Sequence, residues 1–311
     1  MPNNTKTTHS RRKALTYLAA LPFFPADLTG SEIHKREMSV QHPERKPPLS
    51  LNLYSFNQPL QEGTMKLQDI CRYCAEEGYA AIDPTAYYFP GYPEVPDDTF
   101  LFEFKRMVFE LGLEISGSGI RNNFSDPDRM KRQQDIRLIE NWLAASQKMG
   151  IPVLRIFAGS EIPNPQDKKK ALGWMMDDFK QCADLGARYG VIIALQNHNE
   201  FIKTADEVIG IIETVNSPWF KLHLDIGSFT VKNVYEEIQK VIPYAVNWQV
   251  KELVTIDGEK VEPDFERIIR MVKDQGYVGY FPLETLGPGD PKKKLVVLKQ
   301  KVITAMDRVF I

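Results

Sequence analysis

The sequence predicts a single α/β domain, a (β/α)8 TIM barrel over residues 48–311, behind a segment of different character at 1–47. Three observations predict it. Eight short β-rich runs occur after residue 48, each followed by a helical pattern. Strict alternation of strand and helix calls for a parallel sheet covered by helices. No G-x-G-x-x-G follows the first run and no P-loop occurs anywhere, so the nucleotide signatures of the runner-up, a doubly wound open sheet, are missing.

The runs are LSLNLYSF (49–56), YAAID (79–83), LEISGS (113–118), PVLRIFA (152–158), VIIALQN (191–197), FKLHLDI (220–226), AVNWQVK (245–251) and GYFPLET (279–285). Helical spacing is clearest at Phe265, Ile268, Ile269 and Val272, and at Leu295, Leu298, Val302, Ala305 and Val309. Asp126-Pro127, Asn164-Pro165 and Asp290-Pro291 each offer a capping side chain followed by proline at the first helical position. Thr204 and Glu207 have the spacing of a capping box. Gly78, Gly112, Gly150, Gly190 and Gly276 mark helix ends. Cys71 and Cys74 form a C-x-x-C, but share the apolar helix face of Leu67 and Ile70, so they are expected in the core. No second cysteine pair is present to complete a zinc site.

Residues 1–13 are polar and end in SRRK; the apolar run ALTYLAALPFF follows at 14–24. A basic stretch before a short apolar one has the form of an export signal, and Arg11-Arg12 resembles a twin-arginine signal. The expectation is a bacterial, periplasmic protein, with a run too short to span a bilayer and no membrane span in the mature chain. The net charge is −2 and hydrophobic residues make up 43%, which favours a globular core and gives no reason to expect nucleic acid as a partner.

A barrel site is built where strands end. The polar strand ends are Asp83, Arg155, Gln196 with His198, Asp225, Gln249 with Lys251, and Glu284. Side chains alternate along a strand, so Gln249 and Lys251 share a face, as do His223 and Asp225. Gln196, Asp225, Gln249 and Glu284 thus offer four oxygen-bearing groups from four consecutive strands, a set able to hold a hard divalent cation such as Mg²⁺ or Mn²⁺. The same residues could instead bind a polyol, or pair with Lys251 and Arg155, without metal. His198 is expected as a proton donor or acceptor at the site, His223 in the barrel core. Lys251 could stabilise an oxyanion, or serve a structural ion pair. The loop TAYYFPGYP carries Tyr87, Tyr88, Phe89 and Tyr92; Tyr88, with Tyr54 and Phe56 from the first run, is a candidate to pack on a sugar ring. That loop could equally be ordinary packing, or the interface of a homo-oligomer.

The strings VLRIFAG, ALQNHNE, LHLDIGSF, WQVKEL and GYFPLETLG resemble the strand motifs of the sugar phosphate isomerase/epimerase family, the xylose-isomerase-like barrels. The resemblance covers essentially all of 49–311. It implies one divalent metal held by four ligands on strands five to eight, typically Glu, Asp, His and Glu. Asp225 and Glu284 match. Gln196 stands where Glu is usual, Gln249 where His is usual, and Ser228 replaces a common His. An amide can coordinate through its carbonyl oxygen but cannot move a proton, so two-base epimerisation loses one base. The expected function is a sugar isomerase/epimerase-like enzyme, or a lyase or dehydratase. It would act on a small sugar or keto-sugar, with Glu284 as base, His198 or Lys251 as donors, Arg155, Tyr54 and Tyr88 on substrate, and a weakly bound metal. The alternative is a non-catalytic sugar-binding barrel that has lost its second base.

Overall fold

The computed structural model describes residues 45–198 and 200–310. Strands β1 (Leu49–Asn52), β2 (Ala81–Asp83), β3 (Glu114–Ile115), β4 (Ser118–Gly119), β5 (Val153–Ile156), β6 (Ile192–Gln196), β7 (Phe220–Asp225), β8 (Ala245–Lys251) and β11 (Phe281–Glu284) form one parallel sheet. Its order is β3-β2-β1-β11-β8-β7-β6-β5-β4. The two end strands are consecutive pieces of chain, so the sheet curls into the eight-position barrel that the sequence predicts. Strands β9 (Val254–Ile256) and β10 (Glu259–Val261) form a separate antiparallel hairpin.

The third position departs from the expected unbroken run. β3 pairs with β2 and β4 pairs with β5, and the chain between them is Ser116-Gly117. Two glycines explain the break. A Cβ at Gly117 would lie 2.7 Å from Asn247 Nδ2, and one at Gly119 would overlap the Arg155 guanidinium. The third position therefore has no side chain where Arg155 of the adjacent β5 and Asn247 of β8 send their polar groups.

The helices are α1 (Asn57–Gln61), α2 (Leu67–Glu76), α3 (Asp98–Glu110), α4 (Arg129–Met149), α5 (Pro165–Tyr189), α6 (Ala205–Val215), α7 (Val234–Val241), α8 (Phe265–Asp274) and α9 (Pro291–Val309). Asn164 and Asp290 cap α5 and α9 with Pro165 and Pro291 at the first helical position, and Thr204 and Glu207 form the capping box of α6. Gly78, Gly112, Gly150, Gly190 and Gly276 all have positive φ, between 67° and 76°, a conformation that favours glycine. One start is displaced: Asp128, not Asp126, caps α4, because the Asp126 carboxylate accepts from Asp128 N–H and turns the chain first.

The expected apolar faces are buried. Leu295, Leu298, Val302, Ala305 and Val309 of α9 pack on the barrel, and so do Phe265, Ile268, Ile269 and Val272 of α8. Burying each of the large side chains contributes about 1.5–3 kcal/mol. Cys71 and Cys74 are buried free thiols in this core, and burial pushes Cys71 up to about 12. Among the described residues no helix is long and apolar enough to cross a membrane. The apolar run 14–24 and Arg11-Arg12 lie outside the described residues.

Candidate active site

A cavity of about 460 Å³ opens at the C-terminal ends of the strands, where a barrel of this kind places its site. Tyr54, Tyr87, Arg121, Arg155, His198, Gln196, Gln249, Lys251 and Glu284 line it. Asp225 lies beneath, fully buried.

The four strand-end side chains meet one another or Lys251, with the Gln196 nitrogen and not its oxygen turned inward. Gln196 Nε2 donates to Asp225 Oδ2 and to Gln249 Oε1, both at 2.8 Å. Lys251 Nζ stands 3.2 Å from Asp225 Oδ2 and 3.5 Å from Glu284 Oε1. Ser228 Oγ donates to Asp225 Oδ2 at 2.8 Å, and Gly227 N–H to Oδ1 at 2.9 Å. Asn197 holds the Asp225 backbone in place from both sides, donating to its carbonyl at 2.9 Å and accepting from its N–H at 2.7 Å.

This electrostatic arrangement separates the two carboxyl groups. Burial opposes the charge of Asp225, but Lys251, Ser228 and Gly227 outweigh it and hold the group below the ordinary carboxylate range. Burial dominates at Glu284 and pushes it up to about 7, against the pull of Lys251. Glu284 Oε2 is buried without a hydrogen-bond partner among the described residues. Burial also opposes the charge of Lys251, yet Asp225 and Glu284 beside it raise it above the usual lysine value, so it is a firm ammonium.

Around this cluster the other expected residues fall into place unevenly. Arg155 is buried; it donates to Ile120 O at 2.7 Å and to Tyr87 Oη at 2.6 Å. His198 lies on the wall, edge-on to Phe157, and burial lowers its pKa, leaving a neutral ring near pH 7. His223 is fully buried beside Gln249, and burial pulls it down to about 3. Asp83 is also buried and accepts from Asn247 Nδ2 at 3.2 Å; burial pushes it up to about 6.

Two expectations need correction. Tyr88 does not line the cavity: its hydroxyl donates to Asn57 Oδ1 at 2.8 Å, and Tyr87 takes the inner place. The cause is the 3-10 turn Ala86–Tyr88, in which successive side chains fan apart. Phe56 is buried against Tyr73 instead of facing the cavity, and Phe89 packs on Phe104 and Trp142. The sequence reading missed Arg121, whose guanidinium lies 4.8 Å from the Tyr87 ring centre on the cavity wall. Its signal was weak, a lone arginine after a short strand.

The expected metal site fares differently from its geometry. Asp225 Oδ2 is fully used by three donors, and Gln196 turns its NH₂, not its carbonyl, toward the cluster. Coordination would require flipping that amide and expelling the ammonium, since a divalent ion about 4 Å from Lys251 would meet several kcal/mol of repulsion. Among the described residues no group of three His, Cys, Asp or Glu is arranged to hold a metal. The donor set as built does not fit a resident Mg²⁺ or Mn²⁺.

A family model described as xylose isomerase-like TIM barrel matches residues 71–304. The chain belongs to that family. A curated relative, L-ribulose-5-phosphate 3-epimerase UlaE of Salmonella paratyphi B, is 26% identical over 166 residues. That match takes in 50% of this chain, which spans only 58% of the relative's length. Among solved structures, D-psicose 3-epimerase from Clostridium cellulolyticum H10, with D-tagatose, superposes with TM-score 0.67 at 18% identity. It covers 84% of this chain and 98% of its own. The IolI protein with a bound zinc atom gives TM-score 0.69 at 16% identity, covering 84% and 99%. At such identities these structures establish the shared fold.

Proposed function

We propose that this barrel is a sugar isomerase/epimerase-like enzyme that moves a proton next to a carbonyl of a small sugar or keto-sugar. The observation that carries this reading is Glu284. It is a buried carboxyl with one oxygen unpartnered among the described residues, raised to about 7, beside a fixed ammonium on the cavity wall. A general base works best with a pKa near the working pH.

In this scheme the Glu284 carboxylate takes the proton from the carbon beside the carbonyl, the C–H electrons form a carbon–carbon double bond, and the carbonyl π electrons move onto its oxygen. Lys251 stabilises that enolate: two of its three N–H groups face Asp225 and Glu284, which leaves one for the oxygen. Gln196 cannot serve as a second base. The proton therefore returns from Glu284, or from His198 on the wall. One base suits aldose–ketose isomerisation; loss of a β-substituent from the same enolate gives lyase or dehydratase chemistry. Tyr54, Tyr87, Arg121 and Arg155 would hold the sugar's rings and hydroxyls. UlaE and D-psicose 3-epimerase, both epimerases by name, support the reaction class. We also place the mature protein outside the cytoplasm, on the form of residues 1–24.

The test is deuterium incorporation from D₂O into a panel of free ketoses and 3-keto-sugars, followed by NMR. Exchange at the carbon next to the carbonyl supports the enzyme. Saturable sugar binding without exchange would instead make the chain a sugar-binding barrel.

A further inference from the structure

We propose that the site works without a divalent cation: the ammonium of Lys251 is the resident cation of the Asp225–Glu284 pair, and the Gln196 and Gln249 amides lock it in as a hydrogen-bonded cluster. The assignment of a catalytic role to this cation rests on the sugar reading above; the exclusion of metal does not.

Three features of the geometry support it. The first is saturation. Each oxygen of an ionised carboxylate offers about two lone-pair sites, and Asp225 Oδ2, the oxygen turned to the cluster, already meets three donors, Gln196 Nε2, Lys251 Nζ and Ser228 Oγ, while Oδ1 accepts from Gly227 N–H.

The second is the direction of the Gln196 amide. Its nitrogen lies 2.8 Å from two oxygens, Asp225 Oδ2 and Gln249 Oε1. Only a donor is tolerated between two acceptors. Turning the amide to present its carbonyl to a metal would set three oxygens against each other and leave a buried carboxylate short of a partner.

The third is position. Lys251 reaches both carboxylates from the end of β8 while still lining the cavity, with its side chain 14% exposed. The path is shaped for it. A Cβ at Gly227 would lie 2.8 Å from Lys251 Cδ, so a residue without a side chain stands where the lysine stem passes. A cation delivered on a fixed stem needs no uptake from solvent and keeps the same distance from the base throughout turnover.

The experiment uses the full-length protein and Mn²⁺ as the probe. Elemental analysis of the purified protein should show no stoichiometric divalent metal, and titration calorimetry should show no Mn²⁺ binding tighter than roughly millimolar. The variant Gln196→Glu/Gln249→His/Lys251→Ala removes the ammonium and supplies a carboxylate and an imidazole. It should gain Mn²⁺ affinity by about 100-fold or more. Sugar proton exchange by the wild type should be unchanged by EDTA. Stoichiometric metal in the wild type, micromolar Mn²⁺ binding, or exchange that EDTA abolishes and Mn²⁺ restores would overturn the proposal. Should the triple variant not fold, the wild-type titration decides alone. A wild type that exchanges no sugar proton removes the sugar reading, and the Mn²⁺ titration still decides this one.

Discussion

Two of the buried charge clusters among the described residues are finished differently. In the helical layer, Arg132 of α4 meets Asp178 of α5, Nε to Oδ2 at 2.7 Å, with both side chains under a tenth exposed. Arg132 also donates to the carbonyls of Asp126 and Pro127 and lies over the Trp174 ring. Those contacts give the Arg132 guanidinium partners on the carboxylate, two carbonyls and an aromatic ring. At the barrel mouth Asp225 and Glu284 are buried more deeply and Lys251, 14% exposed, less so; among the described residues Glu284 keeps an oxygen without a hydrogen-bond partner, and two carboxylates leave one of the three Lys251 N–H groups to spare. Isolated buried charges are costly in both places. The difference shows where that cost serves packing of two helices and where it keeps reactive groups available.

The comparison breaks most sharply if Glu284→Gln fails to separate activity from stability. Proton exchange should fall by about 10³-fold or more, while the melting temperature stays level or rises, because a strained charge is removed. A clear loss of stability together with retained exchange would make the mouth a structural cluster like the other. Asp178→Ala should do the reverse. It strands Arg132 and should cost about 3–5 kcal/mol in urea unfolding, with exchange unchanged in the folded protein.

The pH profile sharpens the contrast further. A base must be ionised, so with Glu284 raised to about 7, kcat/KM should climb with pH and level off above 7. Lys251→Met should move that limb upward, since the stabilising positive charge is gone. A limb that stays put in this variant would show that another group titrates. The smallest effect concerns the aromatic wall. Tyr87→Phe removes the partner of Arg155 and should raise KM roughly 3–10-fold; Tyr88→Phe, whose hydroxyl serves Asn57, should stay within about twofold. Equal effects would return Tyr88 to the cavity.

How far the sequence carried the reading depended on the range of the forces involved. The strands, the capping box at Thr204 and the glycines that end helices are local, and they were legible. Alternation along β8 placed Gln249 and Lys251 on one inner face. What alternation does not encode is where a long stem comes to rest. The approach of the Lys251 ammonium to Asp225 and Glu284, and the turn of the Gln196 amide, depend on three strands at once. The same limit explains Tyr87 and Tyr88, since a 3-10 turn has no period of two. The break at Ser116-Gly117 follows from Arg155 on the paired β5 and Asn247 on β8, both far away in sequence, which no window around residue 117 contains.

That break makes the hydrogen-bonded belt of the barrel a strip with two ends. β3 and β4 are each only two residues long, and between Thr85 and Gly119 a single bridge closes the gap. Opposite it, β7 and β8 are six and seven residues long and pair across the barrel wall. A closed belt opens where it is stitched with the fewest threads. Amide protons of residues 114–119 should therefore trade with solvent deuterium well before those of 222–225 and 247–250, with the wall opening at a seam beside Arg155 while the half that holds Asp225 and Lys251 stays shut.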